Sequence, residues 1–191
     1  NQVGKTQTNL AEIYFHATGR YPHWFEGRKF SKPPVIWIGS LNYQKSKELI
    51  QDPLTGDVDK QITGIIPEEL ILERHKRIQP SGTLDGIDIK HISGGVTTIR
   101  FLTYQSSQKA WMGKKVDIIL LDDEPPESIF TQCLARLIAS KGYITISATP
   151  EFGLTPLVNR LLYEDDPDTH VIRIGWRDCP HITEAIKRTL K

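Results

Sequence analysis

The chain has 191 residues, of which 38 % are hydrophobic and 25 % charged, so its size and composition are those of one globular domain. It has no apolar run near the ~20 residues of a membrane helix, and its first residues lack the basic and apolar segments of a secretory signal. Cys133 and Cys179 form no C-x-x-C pair, and the six histidines are scattered. These features predict a reduced, intracellular protein with neither a membrane span nor a zinc site.

The net charge is +1, but the charges are distributed unevenly along the chain. Residues 1–50 carry seven Lys or Arg against three Asp or Glu, whereas residues 116–191 carry eight against twelve. A basic first third suits phosphate, of a nucleotide or of DNA, and an acidic last third suits magnesium. Solvated surface is the alternative interpretation of both regions.

Three helices are predicted from apolar residues that recur at intervals of three and four. They cover Thr6 to about Thr18, Ser128 to about Ser140, and the segment at 153–165. Five runs of β-branched and aromatic residues have the length of strands, at 33–39, 97–103, 116–122, 143–149 and 170–176. Surface loops are expected at 51–66 and 75–86, with a turn at 164–170 before the last strand.

The fold class follows from the run at 116–122, VDIILLD, whose apolar residues are consecutive rather than alternating. Such a strand is covered on both faces, which favours an α/β fold with a mainly parallel sheet flanked by helices. The segment IDIKHISGGVTTIRFL differs, because two strand-like runs are joined by Ser93-Gly94-Gly95. It predicts an inserted β-hairpin near the sheet.

The first candidate motif is Gly4-Lys5-Thr6, which matches the end of the phosphate-binding pattern G-x-x-x-x-G-K-[ST]. The first glycine of that pattern would stand two residues before Asn1, and without it we expect weak ATP binding. Lys5 is expected to reach the β- and γ-phosphates of ATP and Thr6 to bind Mg²⁺, at the start of a helix that favours anions. A loop that carries G-K-T by chance is the alternative. The backbone expected to line the phosphate cradle is that of Asn1, Gln2, Val3 and Gly4.

Two further motifs follow strands. Asp122, Asp123 and Glu124 end the run at 116–122, where one carboxylate could hold magnesium and its neighbour could polarise the attacking water. An acidic turn is the alternative. Ser147, Ala148 and Thr149 end the run at 143–149, and their hydroxyls could sense the γ-phosphate, although Ser and Thr before Pro are also ordinary turn formers.

Taken together, these motifs resemble the ATPase domain of tailed-bacteriophage terminase large subunits, and the resemblance runs nearly from end to end. The segments TGRYPHWFEG and DDEPP carry it most specifically, because a general P-loop protein requires neither. The resemblance implies a P-loop NTPase fold of the additional-strand type over residues 1–191, beginning inside the Walker A loop, with the family's C-terminal nuclease domain not covered.

The resemblance also implies roles for residues. Lys5 and Thr6 would bind ATP and magnesium, Asp122 would be the Walker B carboxylate, and the triplet at 147–149 would be the coupling motif. The family usually has D-E-E-P-P where this chain has D-D-E-P-P, so Asp123 occupies the position of the catalytic glutamate. Either Asp123 acts through a shifted water or Glu124 is the base. Strand alternation disfavours Glu124, unless a turn at Pro125 rotates it inward.

Hydrolysis also needs a cation for the charge on the transferring phosphoryl group. Arg136, on the helix after the carboxylates, is the candidate, with Lys114 and Lys115 as alternatives and a neighbouring subunit as another source. The aromatic residues Tyr21, Trp24 and Phe25 lie among basic residues and could grip DNA. We favour a packed loop over the core for this segment.

The predicted function is therefore an ATP-hydrolysing motor that drives double-stranded DNA into a procapsid, in the cytoplasm of the bacterial host. The expected partners are DNA, the terminase small subunit, the portal protein of the procapsid and further copies of the chain in a ring, without a membrane. A helicase-like translocase is the alternative among enzymes, although no helicase motif follows residue 150. A nucleotide- or DNA-binding module without hydrolysis is the alternative outside enzymes.

Overall fold

A computed structural model of the chain describes residues 3–57, 61–80, 82–113, 115–149, 153, 155–164, 166–179 and 182–183. The chain divides into two compact units. The smaller unit consists of Asn1–Lys5 with Thr149–Lys191, and the larger consists of Thr6–Ala148.

The larger unit is built on a six-stranded sheet in the order β2-β3-β4-β1-β5-β6. Its strands are β1 (Val35–Ser40), β2 (Ile71–Lys76), β3 (Leu84–Lys90), β4 (Val96–Thr103), β5 (Ile118–Asp122) and β6 (Tyr143–Ser147). Strands β4, β1, β5 and β6 run parallel to one another, whereas β2 and β3 are antiparallel to their neighbours. The two runs joined by Ser93-Gly94-Gly95 are consecutive antiparallel strands of this sheet, β3 and β4.

Three of the helices lie within or close to the predicted segments, and two short helices, at 43–46 and 52–55, were not predicted. The helices are α1 (Lys5–Thr18), α2 (Tyr43–Ser46), α3 (Asp52–Thr55), α4 (Glu127–Leu137) and α5 (Pro156–Tyr163), with wider or tighter helical turns at Lys47–Gln51, Glu68–Leu70, Gln108–Trp111, Ile138–Ser140 and Trp176–Asp178. None of the helices in the described part of the chain is long and apolar enough to cross a membrane. The mixed α/β prediction is thus confirmed at the level of a mostly parallel sheet flanked by helices.

Strand alternation builds two apolar layers in the larger unit. Even-numbered residues of β1 and β5, such as Ile36 and Leu120, face the layer that contains Leu10 and Ile13 of α1. Trp37, Ile119 and their neighbours face the other layer, with Ile129 and Cys133 of α4. Each fully buried side chain of this size contributes roughly 1.5–3 kcal/mol. Strands β1 and β5, at the centre of the parallel part of the sheet, are therefore covered on both sides, as the consecutive apolar residues of β5 predict.

The carboxyl end of α1 is fixed by Gly19, which has a φ of +71°. This left-handed conformation is the usual way to end a helix, and it favours glycine. A Cβ at this position would lie 2.5 Å from Nε2 of the buried His91, so close packing excludes a side chain as well. The backbone N–H of Ile92 donates to the carbonyl of Thr18 at 2.8 Å, which ties the β3–β4 connection to the end of α1.

Three sequence-based expectations were wrong. The run at 170–176 is not a strand, and Ile172 is 73 % exposed, so this alternating pattern lacks the cross-strand partner that would bury it. The expected loop at 51–66 includes α3 and the buried Leu54 and Ile66. The expected loop at 75–86 contains the end of β2 and the start of β3, and β2 itself was missed because its sequence, ILERHK, is mostly polar.

Candidate functional site

The parallel strands of the larger unit bring polar side chains to one edge of the sheet. Ser40 ends β1 opposite Thr103 at the end of β4, and Asp122 ends β5 opposite Ser147 at the end of β6. The carboxyl edge of an open α/β sheet is where ligands usually bind. The structure therefore brings together Asp122 and Ser147, two residues that the sequence analysis selected from separate motifs.

Asp122 and Ser147 are both largely buried, at 8 % and 7 % relative exposure. The Oγ of Ser147 has no hydrogen-bond partner among the residues that the structure describes. A buried hydroxyl without a partner loses its hydration free energy without compensation, at roughly 1–3 kcal/mol. Such groups are uncommon in folded proteins, and this one lies at the edge where a ligand is expected.

Asp123 marks the end of strand geometry. Its φ is +65°, in the left-handed region, and its backbone N–H donates to the carbonyl of Ser147 at 3.0 Å. The strand alternation used in the sequence analysis to disfavour Glu124 therefore stops at Asp122, one residue earlier than that reasoning assumed. The side chain of Asp123 is 53 % exposed, and its Oδ2 lies 4.0 Å from Nζ of Lys45. The choice between Asp123 and Glu124 as base stays open.

Tyr104, which the sequence analysis did not select, holds the end of β5. Its hydroxyl lies 2.8 Å from the carbonyl oxygen of Asp122 and 3.1 Å from that of Asp123, so these two oxygens share one donor. Burial raises the pKa of Tyr104 well above its usual value, and the charges of Asp122 and Asp123 add to this effect. Tyr104 is thus a neutral donor. Its place directly after β4, in LTYQSSQKAW, is the signal that could have identified it.

Tyr104 is itself fixed by packing. Its ring stacks on Trp111 with centroids 6.3 Å apart, and the Trp111 indole N–H donates to the carbonyl of Thr103 at 3.3 Å. Gly39 of β1 lies against the same indole, and a Cβ there would be 2.6 Å from the Trp111 ring. Glycine is therefore required at this position by close approach rather than by backbone conformation.

The smaller unit contains Gly4, Thr149 and Lys5, the first residue of α1. Nζ of Lys5 donates to Oγ1 of Thr149 at 2.6 Å, although the two residues are 144 positions apart in sequence. Gly4 has a φ of +85°, which favours glycine, and the first turn of α1 carries no acidic side chain. Such a helix start suits an anion.

The other predicted site residues are less informative. Val3, Thr6 and Ala148 are partly buried, and Glu124 is partly exposed. Asn1 and Gln2 lie outside the described residues, as does Lys114. Lys115 lies 3.7 Å from Asp117.

Arg136 lies in the last turn of α4, where its Nη1 donates to the carbonyl of Gly113 at 3.2 Å. This contact ties α4 to the segment before β5. Its Nε is buried without a hydrogen-bond partner in the described part of the chain. The role of Arg136 in hydrolysis stays a prediction.

The aromatic segment after α1 forms a packed polar cluster at the opposite end of β6. We call Glu12, His16, Tyr21 and Tyr143 the amino-end cluster. His16 is 1 % exposed; its Nδ1 lies 3.0 Å from the Tyr21 hydroxyl and its Nε2 lies 2.7 Å from that of Tyr143. The Tyr143 hydroxyl also donates to Glu12 at 3.1 Å.

The contacts of this segment support the interpretation as a packed loop. The ring of Phe25 lies 5.7 Å from that of His16, and the Tyr21 hydroxyl accepts a hydrogen bond from the N–H of Phe30 at 2.8 Å. Trp24 differs, because it is 63 % exposed. Two of the three aromatic residues considered for DNA binding are thus used in packing.

These features define an α/β domain whose candidate site lies at the carboxyl edge of a mostly parallel sheet. The chain belongs to the family of the terminase large subunit, T4likevirus-type, N-terminal, whose model matches residues 1–191. It is 28 % identical over 211 residues to the large terminase subunit of Salmonella phage P22, a match that covers the whole chain and 42 % of that protein.

A solved structure has the same fold. The large terminase of a thermophilic bacteriophage matches with a TM-score of 0.65 at 12 % identity, covering 99 % of this chain and 42 % of the other. The chain thus spans less than half the length of the relatives that it matches.

Proposed function

We propose that this chain is the ATP-hydrolysing motor domain of a phage terminase large subunit and that it powers the movement of double-stranded DNA into a procapsid. The observation that carries the proposal is the buried Asp122 paired in register with Ser147 at the carboxyl edge of the sheet. Membership of the terminase family supports the packaging role. The terminase small subunit, the portal protein and further copies of the chain are the partners that this role requires, in the cytoplasm of the host bacterium.

The residues present fit magnesium and ATP. Asp122 and Thr6 offer the oxygen ligands that magnesium prefers. The start of α1, with Gly4 and Lys5, offers positive charge and a helix end to phosphates. The Ser147 hydroxyl has no hydrogen-bond partner in the described chain, so a bound ligand could donate a hydrogen bond to it or accept one from it.

Magnesium, when bound with ATP, neutralises charge on the β- and γ-phosphates. The chain's own residues do the rest: Lys5 holds phosphate oxygens, Asp123 or Glu124 orients the attacking water and accepts its proton, and Arg136 or an arginine of a neighbouring subunit offsets the developing charge. Tyr104 positions the carboxylates through the backbone of β5. Its donation to both the Asp122 and Asp123 carbonyls supports this positioning role.

The test is magnesium-dependent ATP hydrolysis by the full-length protein, with DNA and small subunit present, for the parent, Lys5→Ala and Asp122→Asn. Each substitution is expected to lower kcat/KM by about 100-fold or more, since each removes a charged group from phosphate or metal. Lys76→Ala and Asp168→Asn, which change exposed residues of the same types, are the controls. Activity that survived both site substitutions would contradict the assignment.

Asp123→Asn and Glu124→Gln separate the two candidate bases. The two substitutions remove the same charge and preserve shape, so the one that lowers kcat more identifies the base. Equal, small effects would contradict both assignments.

A nucleotide-binding module without hydrolysis is the second candidate. It is favoured by the position of Asp123, which is half exposed and 4.0 Å from the Lys45 ammonium group. A parent protein that binds magnesium and ATP but does not hydrolyse ATP with DNA and small subunit present would support this candidate.

A further inference from the structure

A cluster of possible metal ligands lies on the antiparallel end of the sheet, away from the ends of β5 and β6. Glu73 and His75 of β2 and Asp88 of β3 each offer one ligand atom, and these atoms all lie within 4.8 Å of one another. We propose that the three side chains form a binding site for a divalent transition metal ion of the zinc class. The inference does not depend on the proposed ATPase function.

Strand register places the three side chains on one face of the sheet. Glu73 pairs directly with Asp88, and His75 pairs with Gly86. Residues two apart in a strand point to the same side, and directly opposed residues share a side. Shifts in the β2–β3 register between Ile71 and Glu73 and between His75 and Lys76 flank this pairing. The regular stretch between them fixes the backbone positions of all three residues on this face.

The distances suit a single ion. One nitrogen of an imidazole binds one ion, and with one ligand atom from each residue the three atoms lie within 4.8 Å of one another. Nε2 of His75 lies 3.2 Å from Oδ2 of Asp88, with which it makes a hydrogen bond that the ion would replace. The other ring nitrogen, Nδ1, lies 3.7 Å from Oε1 of Glu73. In a tetrahedral zinc site, bonds of about 2.0–2.2 Å put neighbouring ligand atoms roughly 3.4 Å apart. The His75–Asp88 pair already has this separation. The Glu73 side chain is 65 % exposed, so it can turn to complete the set.

The negative charges of Glu73 and Asp88 also favour the binding of a cation. Two carboxylates face each other across a strand pair, an arrangement that is destabilising when it is not compensated. No Lys or Arg among the described residues lies within 4.0 Å of either carboxylate; their ionisable neighbour is His75. Arg100, on the same face, lies over the Trp37 ring at 5.6 Å. Asp88 accepts one further hydrogen bond, from Oγ1 of Thr98 at 2.7 Å.

Imidazole nitrogens and carboxylate oxygens are both ligands that zinc accepts, and three protein ligands leave a fourth position for water. The ion would join β2, the edge strand, to β3 through side chains, in addition to their backbone hydrogen bonds. No zinc site was predicted from the sequence, because the histidines are scattered along it and no cysteine lies near them. These ligands come from two strands that are separated by a loop.

The test is titration of the purified full-length protein with Zn²⁺ alone by calorimetry, with Co²⁺ absorption as the spectroscopic readout. One ion should bind per chain at this site, and His75→Ala and Asp88→Asn should each weaken its binding at least tenfold, since each removes a ligand. His23→Ala and Glu69→Gln, which change exposed residues, are the matched controls and should bind like the parent. Zn²⁺ should also raise the Tm of the parent but not that of His75→Ala.

Asp122→Asn separates this site from the proposed magnesium site, because zinc binding that depends on His75 should persist in that variant. If His75→Ala does not fold, Glu73→Gln provides the same test, because it is an isosteric change at an exposed position. It should also weaken zinc binding. Binding that is unchanged in His75→Ala, Asp88→Asn and Glu73→Gln would mean an adventitious ion only and would overturn the proposal, as would the absence of binding to the parent.

Discussion

Strand β6 begins and ends in polar surroundings, and the two ends differ in one respect. At its start, the Tyr143 hydroxyl contacts both His16 and Glu12 within the amino-end cluster. At its end, the Ser147 hydroxyl is as buried as its neighbour Asp122 but has no hydrogen-bond partner in the described chain. Only three residues of the strand thus lie between a hydroxyl that has hydrogen-bond partners in the protein and one that has none among the described residues.

The two hydroxyls of β6 therefore differ in what they serve, one the stability of the fold and the other the function of the site. A buried polar cluster whose groups all have hydrogen-bond partners stabilises a fold. A buried polar group without a hydrogen-bond partner lowers stability, and it is retained where function requires it. The amino-end cluster should therefore matter for the free energy of unfolding, and the carboxyl edge for catalysis.

His16→Ala should lower the free energy of unfolding by about 3–4 kcal/mol. The substitution removes a ring that is buried against four others and leaves the Tyr21 hydroxyl with one partner fewer. Urea denaturation followed by circular dichroism measures the change. His23→Ala, at an exposed position, should have an effect within about 0.5 kcal/mol. A loss below about 1 kcal/mol for His16→Ala would contradict the structural role of the cluster.

Tyr104→Phe should lower the free energy of unfolding by about 1–1.5 kcal/mol, because it removes the donor shared by two carbonyl oxygens and keeps the stacked ring. If Tyr104 positions the carboxylates, Tyr104→Phe should lower kcat for ATP hydrolysis by a larger factor than it changes KM. Tyr163→Phe, at an exposed position, is the control and should change neither. Stability that fell with no change in kcat would leave Tyr104 a purely structural residue.

Stability should decrease in acid partly through Glu12. Its hydrogen bond with His16 lowers its pKa below the usual 4.5, with smaller opposing and supporting effects from burial and Tyr143. The folded protein therefore binds this proton less readily than the unfolded chain. The contribution is complete above about pH 4.5 and is lost as the pH falls through the lowered pKa. Glu12→Gln should flatten the acid limb of a Tm–pH profile more than Glu69→Gln does.

Ser147→Ala should raise the free energy of unfolding by about 1 kcal/mol, because it removes a buried hydroxyl that has no hydrogen-bond partner among the described residues. ATP hydrolysis should nevertheless fall if the hydroxyl contacts the nucleotide. Thermal denaturation and a hydrolysis assay on the same samples test both points. A clear loss of stability would show that the hydroxyl has a partner in the folded protein.

Much of the fold could be predicted from local pattern. The run at 116–122 is typical of a buried strand because its apolar residues are consecutive, and β5 ends at Asp122 as that pattern predicts. Helix α1 follows from the spacing of Leu10, Ile13 and Ala17, all of them buried. These elements have strong periodicity and packing that agrees with it.

The errors share one physical cause, which is that partners distant in sequence decide the outcome. Strand β2 is polar and exposed, and it exists because β3 provides a ladder for it. The run at 170–176 has a better strand pattern than β2 but has no such ladder among the described residues. Tyr104 was missed for the same reason, since its role depends on two carbonyl oxygens at the end of β5, the last in the strand and the first after it.

The candidate site was predicted in part. The motifs indicated Asp122 and Ser147 separately, and their adjacency required the β5–β6 register. The chain's order of motifs gave no indication that Asp123 would leave the strand geometry with a positive φ.

The hydrogen bond from Lys5 to Thr149 has a consequence for affinity. An ammonium group carries three N–H donors, so the 2.6 Å contact with the Thr149 hydroxyl orients the Lys5 side chain without excluding a phosphate oxygen. If ATP binds here as proposed, less side-chain entropy is lost on binding than for a lysine that is not held in this way. The hydroxyl of Thr149 would thus contribute to affinity by orienting a positive charge that it does not neutralise.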